Sequence, residues 1–214
     1  MMATKKKDNI EIVFDASADR MIIAEQAMAN PVVFTTLIDN LSTEARRVRQ
    51  FSASALGTIS ESSPESLVAY IPHIVDALHR PEAQTRWECL EILTRIVASD
   101  PDACDEAVLG AESSLYDEES GAARLAALRF LCAYGALDAK RSARVWPYID
   151  EAIQCYHGDP EFQDMLISVT AFAAGKISKD VRGLLASRMK FDATYGKGTL
   201  KRRAQQIIDI CTKS

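Results

Sequence analysis

The chain has 214 residues, 48% of them apolar and 26% charged, and its formal net charge is −5. That is ample material for a continuous core, and no apolar run approaches the roughly 18 residues that span a membrane. Met1 to Lys7 carries the charge that opens a secretory leader but not the apolar stretch that should follow, so the reading is of a cytoplasmic protein that is neither secreted nor membrane-anchored.

Residues 1–14 read as a flexible N-terminal tail, with Lys5-Lys6-Lys7 followed by Ile10-Glu11-Ile12-Val13-Phe14, apolar enough to dock as an edge strand or lid. Residues 15–214 read as one domain. Ser17 to Asn30 is expected to form an amphipathic cap helix, with Met21, Ile22, Glu25 and Met28 at helical spacing. Pro31 then opens a helix through Val32, Val33, Phe34, Leu37, Ile38 and Leu41, and Ser42 or Thr43 is the expected cap of a second helix carrying Val48, Phe51, Ala55, Leu56 and Ile59. After Pro64 comes a helix through Tyr70 to Leu78 in which Pro72 should produce a kink, and Pro81 opens its partner, with Cys89, Leu90, Ile92, Leu93, Ile96 and Val97. The third pair is bounded by Pro101 and the acidic turn Asp117 to Gly121. The fourth is bounded by Asp138 and the turn His157-Gly158-Asp159-Pro160, and the fifth begins near Ser178 and breaks at Gly196-Lys197-Gly198.

One arginine recurs in a fixed frame at the start of the second helix of a pair: Arg49, Arg86 and Arg124, followed in the same frame by Gln163 and Lys201. A period near 40 residues made of helix pairs predicts a solenoid whose units bury their apolar faces on one another. Val48-Arg49-Gln50-Phe51-Ser52-Ala53-Ser54-Ala55-Leu56-Gly57 resembles the second-helix pattern of HEAT repeats, and the helices with Ile71-Pro72 and Trp146-Pro147 are similar to that family's proline-bent first helix. The resemblance covers residues 31–214. It implies an all-α, right-handed, armadillo-like α-solenoid of about five HEAT-like two-helix repeats with an N-terminal cap helix, its second (B) helices lining the concave side. The recurring arginine is then expected to hold the turn inside each unit through carbonyls and acids such as Asp117, as its rigid fork of donors suits.

Charge is segregated. Lys176 to Ser214 holds ten cations against three acids, a net +7, so the remainder of the −5 chain carries −12, and Asp100 to Glu119 contains eight acids and no cation. Lys197, Lys201, Arg202 and Arg203 form a candidate site for an anion or acidic partner at the start of the last helix, taken as capped by Thr199, although Gly196-Lys197-Gly198-Thr199 is not a P-loop.

Nothing points to catalysis. His73, His79 and His157 have no second ligand at helical spacing, Cys155 and His157 point to different faces, and there is no nucleophile elbow. His73 is expected at an interhelical contact and Trp87 in the core. Cys89, Cys104, Cys132, Cys155 and Cys211 are odd in number, lack a C-x-x-C pair and read as reduced, mostly core residues. No metal or cofactor is expected. The functional expectation is a non-catalytic scaffold for a partner protein or peptide, bound on the concave B-helix face through Gln50, Glu88, Glu91, Arg95, Arg129 and Asp164 or at the basic C-terminal end. The alternative is a nucleic-acid-binding protein related to the HEAT-like alkylpurine DNA glycosylases, disfavoured because Glu88 and Glu91 repel phosphates. Weak self-association, basic end to acidic third unit, is a further expectation.

Overall fold

The computed structural model describes residues 19–213, and the tail expected over 1–14 lies outside them. All regular structure among the described residues is helical: α1 Arg20–Ala29, α2 Pro31–Asn40, α3 Arg46–Ser62, α4 Ile71–Asp76, α5 Ala83–Ile96, α6 Ala107–Leu115, α7 Gly121–Gly135, α8 Ala139–Cys155, α9 Phe162–Ala174, α10 Lys179–Tyr195 and α11 Gly198–Lys213. From α2 onward they pair as five units. The B helices α3, α5, α7, α9 and α11 pack in series as one layer, and the A helices form the other, with α2 on α4, α6 on α8 and α8 on α10. One apolar core runs from Ala24 to Cys211.

Local chemistry places the helix starts. Pro31 is the first residue of α2, where its missing N–H has no intrahelical partner to lose, and Asn30 Oδ1 accepts from Val32 N–H at 2.9 Å. Ser120 accepts from Ala123 N–H, Asp138 from Arg141 N–H and Ser178 from Val181 N–H, capping α7, α8 and α10. The Ser178 N–H in turn donates to Ser142 Oγ, tying the first turns of α8 and α10 together.

Several expectations are corrected. The cap helix α1 spans Arg20–Ala29 with Asp19 as its N-cap, and it buries Ala24 and Ala27 while Met21, Ile22 and Met28 are 58%, 53% and 46% exposed. Small residues let α1 lie close against α3, and the long methionines are left at its rim. Neither Ser42 nor Thr43 caps α3; its first turn follows Ala45 and has no side-chain cap. The second A helix does not kink at Pro72 but divides into a 3-10 segment Pro64–Tyr70, the short α4, and a second 3-10 segment Ala77–His79. Proline has no N–H for the α ladder, and Ile71 N–H bonds instead to the Val68 carbonyl three residues back. Pro147, by contrast, sits inside a continuous α8. α11 begins at Gly198, not after a Thr199 cap, and Gly198 has φ +55°, a left-handed backbone that glycine adopts without steric cost. His73 is exposed, and its ring meets Tyr70 of its own unit. Cys89, Cys104, Cys132 and Cys211 are buried free thiols and Cys155 is exposed; desolvation pushes the Cys104 thiol up to about 12, leaving it inert as a nucleophile.

Candidate functional site: the B-helix face

The arginine frame turns out to be a set of rungs between units. Arg49 Nη1 donates to the Thr43 and Glu44 carbonyls of its own turn at 2.6 and 2.9 Å, while Nε and Nη2 reach both carboxylate oxygens of Glu82 in the next unit. Arg86 repeats this with the Arg80 and Pro81 carbonyls and Asp117, and Arg124 with the Asp117 carbonyl and Asp159 at 2.9 Å. Thus each of the three arginines closes its own A–B turn and clasps the following one. Lys201 keeps half of the role, donating from Nζ to the Thr194 carbonyl at 3.1 Å. Gln163 makes no such clasp. Its junction is held by His157 Nε2 and the buried Asp192, 2.9 Å apart, with the His157 ring against Phe162.

Three of the eight acids in the acidic run of the third unit are likewise ion-paired. Asp117 is paired with Arg86, and Asp102 and Asp105 face Arg141 and Arg144. Both arginines stack over the Tyr134 ring, whose hydroxyl donates to Asp105 at 2.7 Å. Arg188 makes a bidentate pair with Asp150 between α10 and α8.

A third seam crosses the exposed face of the B helices and contains most of the expected partner-binding residues. Arg129 on α7 donates to Glu91 on α5 at 2.6 Å; Glu91 also faces Arg95 at 4.0 Å, and Arg95 faces Glu61 on α3 at 3.7 Å. Beside this chain, Ser54 donates to Glu88 at 2.6 Å. Glu88 lies over Gly57, where a Cβ would come within 2.8 Å of its Oε2, so the glycine makes room for the carboxylate. These side chains line one bay of about 410 Å³ together with Trp87, Ala122, Leu125 and Ala126, closed on one side by Arg20 and Met21 from the first turn of α1. Trp87 is half-buried, packing on the core with part of its ring toward the bay.

Four of the expected residues, Glu88, Glu91, Arg95 and Arg129, therefore meet in one place. Gln50 and Asp164 do not line the bay, and Asp164 is exposed on α9. Ser54, Gly57, Trp87 and the rim from α1 complete it. Ser54, Glu91 and Arg129 occupy one position of the repeat, five residues after each ladder position, and that column marks the face in sequence. At the basic end, Lys201 and Arg202 border a second depression of about 640 Å³ on α11 with Gln205, Gln206, Asp209 and Lys213, whereas Lys197 is exposed outside it and Arg203 is half-buried. Lys201 closes the first turn of α11, and Arg202 and Arg203 fall in the second.

No protein-family model and no curated protein matches the chain. Solved structures do. A designed armadillo repeat protein in complex with the peptide (KR)4 is similar over 90% of this chain and 90% of its own, at 11% identity and a TM-score of 0.72. A computationally designed armadillo repeat protein for modular peptide recognition is similar over 89% and 91%, at 11% identity and a TM-score of 0.70. An engineered protein matches over 94% and 93%, at 13% identity and a TM-score of 0.69. The chain thus has the fold of an armadillo-like helical repeat solenoid.

Proposed function

We propose that the chain is a non-catalytic, cytoplasmic scaffold that holds a peptide segment of a partner protein on its B-helix face, in the bay between α1 and α7. The observation that supports this most is the bay itself: an aromatic and aliphatic floor, Trp87 with Leu125 and Ala126, ringed by charged side chains of which Glu91 is held by Arg129 and Glu88 by Ser54. Pre-paired groups lose little freedom when a ligand arrives, and a few polar contacts around an apolar floor suit peptide recognition. The similar designed proteins, one described as bound to a peptide and one as made for peptide recognition, agree with this use of the fold. Three arginines and three glutamates line the bay, which lacks the cation excess that a nucleic-acid backbone requires.

The test is a random peptide library screened against the full chain, Trp87→Ala and Arg129→Ala, with a DNA duplex as a parallel probe and helix content checked by circular dichroism. Peptides bound by the natural chain and lost in both folded variants support the reading. Peptides bound equally by all three, or binding of the duplex alone, overturn it.

A further inference from the structure

One A helix differs from the others on its outward side. α10 exposes Leu184, Phe191 and Tyr195 at 52%, 68% and 71%, whereas α4 and α8 expose no large apolar side chain and α2 and α6 one each, Val32 and Leu109. Spacings of seven and four residues put the three α10 side chains on one line, about 16 Å long at 1.5 Å per residue. The Phe191 and Tyr195 ring centroids lie 5.2 Å apart, so the two rings make one surface. Beside this line run Gly183, Ser187 and Thr194, all exposed. A Cβ on Gly183 would meet nothing within 4 Å, and the Thr194 hydroxyl is turned back to the Lys190 carbonyl at 2.8 Å. A ridge of large side chains next to a furrow of small ones is the relief into which a second helix packs. We infer that this face of α10 docks an acidic amphipathic helix of a partner protein, apart from the B-helix bay and whatever the bay holds.

Charge selects the partner's chemistry. Across the furrow from the apolar line stand Lys179 and Lys190, both exposed and neither ion-paired among the described residues. On the opposite edge Arg188 is held by Asp150, so that edge is neutral. The acid on this face, Asp180, sits in the first turn of α10, where it complements the positive end of the helix dipole. The surrounding stretch Lys176 to Ser214 carries +7 in a chain of −5, a field that draws anions to the last two units. A helix with leucine-type residues on one side and glutamates along its flank therefore meets the apolar line, the furrow and the lysines at once. A second copy of this chain would bring a like-charged edge against the lysines, and an anionic membrane would leave the furrow unfilled.

The probe is a labelled helical peptide with leucines seven and four residues apart on a background of glutamate and alanine. Its controls are the same residues in scrambled order and the patterned peptide with lysine in place of glutamate. Fluorescence anisotropy is read with the full chain, Phe191→Ala and Lys190→Glu, with helix content checked by circular dichroism, and co-sedimentation with phosphatidylserine vesicles runs in parallel. The patterned acidic peptide is expected to bind, more weakly as salt rises. Phe191→Ala should weaken it roughly thirtyfold, the loss of an aromatic anchor. Lys190→Glu should weaken it as well and improve binding of the lysine peptide. If Phe191→Ala loses helix content, Leu184→Ala and Tyr195→Ala, both more than half exposed, provide the same readout. Equal binding of the scrambled peptide overturns the inference, as does the absence of binding by any peptide. So does binding that the α10 variants leave undiminished, which would seat the peptide elsewhere, the bay included. Vesicle binding without peptide binding overturns it in favour of a lipid surface, and a solution mass of two chains that falls to one in Phe191→Ala overturns it in favour of a second copy.

Discussion

The junction between the first and second units and that between the fourth and fifth solve one problem with different chemistry. In the first, Arg49 is 8% exposed and Glu82 5%; the guanidinium binds both carboxylate oxygens and two turn carbonyls, so one side chain closes its own turn and grips the next. In the last, the ladder position is Gln163, and a histidine from the turn meets a buried aspartate from the last turn of α10. The difference follows from what the next turn supplies. Glu82, Asp117 and Asp159 stand ready in the second, third and fourth units, whereas the fifth turn contains Gly196 and Lys197 and no acid. A repeat can keep its packing while its polar clasp is replaced, provided that the buried carboxylate still finds a donor.

The largest effect is expected at the first junction. Arg49→Ala leaves Glu82 buried without its cation, and breaking such a pair by removing one partner destabilises by about 3–5 kcal/mol. Arg124→Ala, whose partner Asp159 is more exposed, should lose about 1–3 kcal/mol, the range for removing a partner from a hydrogen-bonded group. Urea unfolding of the two variants checks the ranking. Equal losses would mean that burial does not distinguish the rungs. Replacing Arg49 and Glu82 together should recover part of the loss, and a double-mutant cycle measures how much of it is coupling.

At the other junction His157→Ala removes the hydrogen bond to buried Asp192, for an expected loss of about 1–3 kcal/mol in the same unfolding experiment. Amide exchange should then accelerate first in α10 and α11, with α3 and α5 unaffected, since stability in a stack of repeats is carried by nearest neighbours. Exchange that rises uniformly along the chain would break the comparison.

Acid sharpens it further. The Arg49 hydrogen bond holds the Glu82 carboxyl below the usual carboxylate range, and the Arg141 backbone N–H and guanidinium do the same for Asp138. Because these folded values are depressed, the stabilisation is complete above the ordinary carboxylate value of about 4 and is lost as pH falls through the lower folded values. Urea midpoints should therefore drop with acidification in that window. Glu82→Gln should start lower at neutral pH and fall less steeply, and parallel curves would remove Glu82 from the account.

Much of this was legible in the sequence, and the exceptions share a cause. The unit boundaries, the turn-holding arginine and its partner Asp117, and four residues of the bay follow from a period that repeats along one chain. The face buried by α1 does not follow, because close approach to α3 favours Ala24 and Ala27 over the longer Met21 and Met28, and that preference depends on a neighbour of unknown distance. His157 and Asp192 break the period, so no column pairs them. The Glu88 carboxylate seated over Gly57 depends on a gap between two helices, and sequence shows the glycine without the gap.

The smallest expected effect tests whether the arginine frame is sufficient by itself. Gln163→Arg restores the ladder residue at the fourth B helix, yet a rung needs an acid in the following turn, and there the substituted side chain would find Lys197. Asp192 is already held by His157. The substitution is exposed, so stability should change by no more than about 0.5 kcal/mol, the usual range for surface changes. A clear gain would mean that closing the unit's own turn carbonyls is the stabilising half of the rung. Pairing Gln163→Arg with Lys197→Glu supplies both halves, and its gain over the single change measures the clasp between units, the term that the first junction has and the last one lacks.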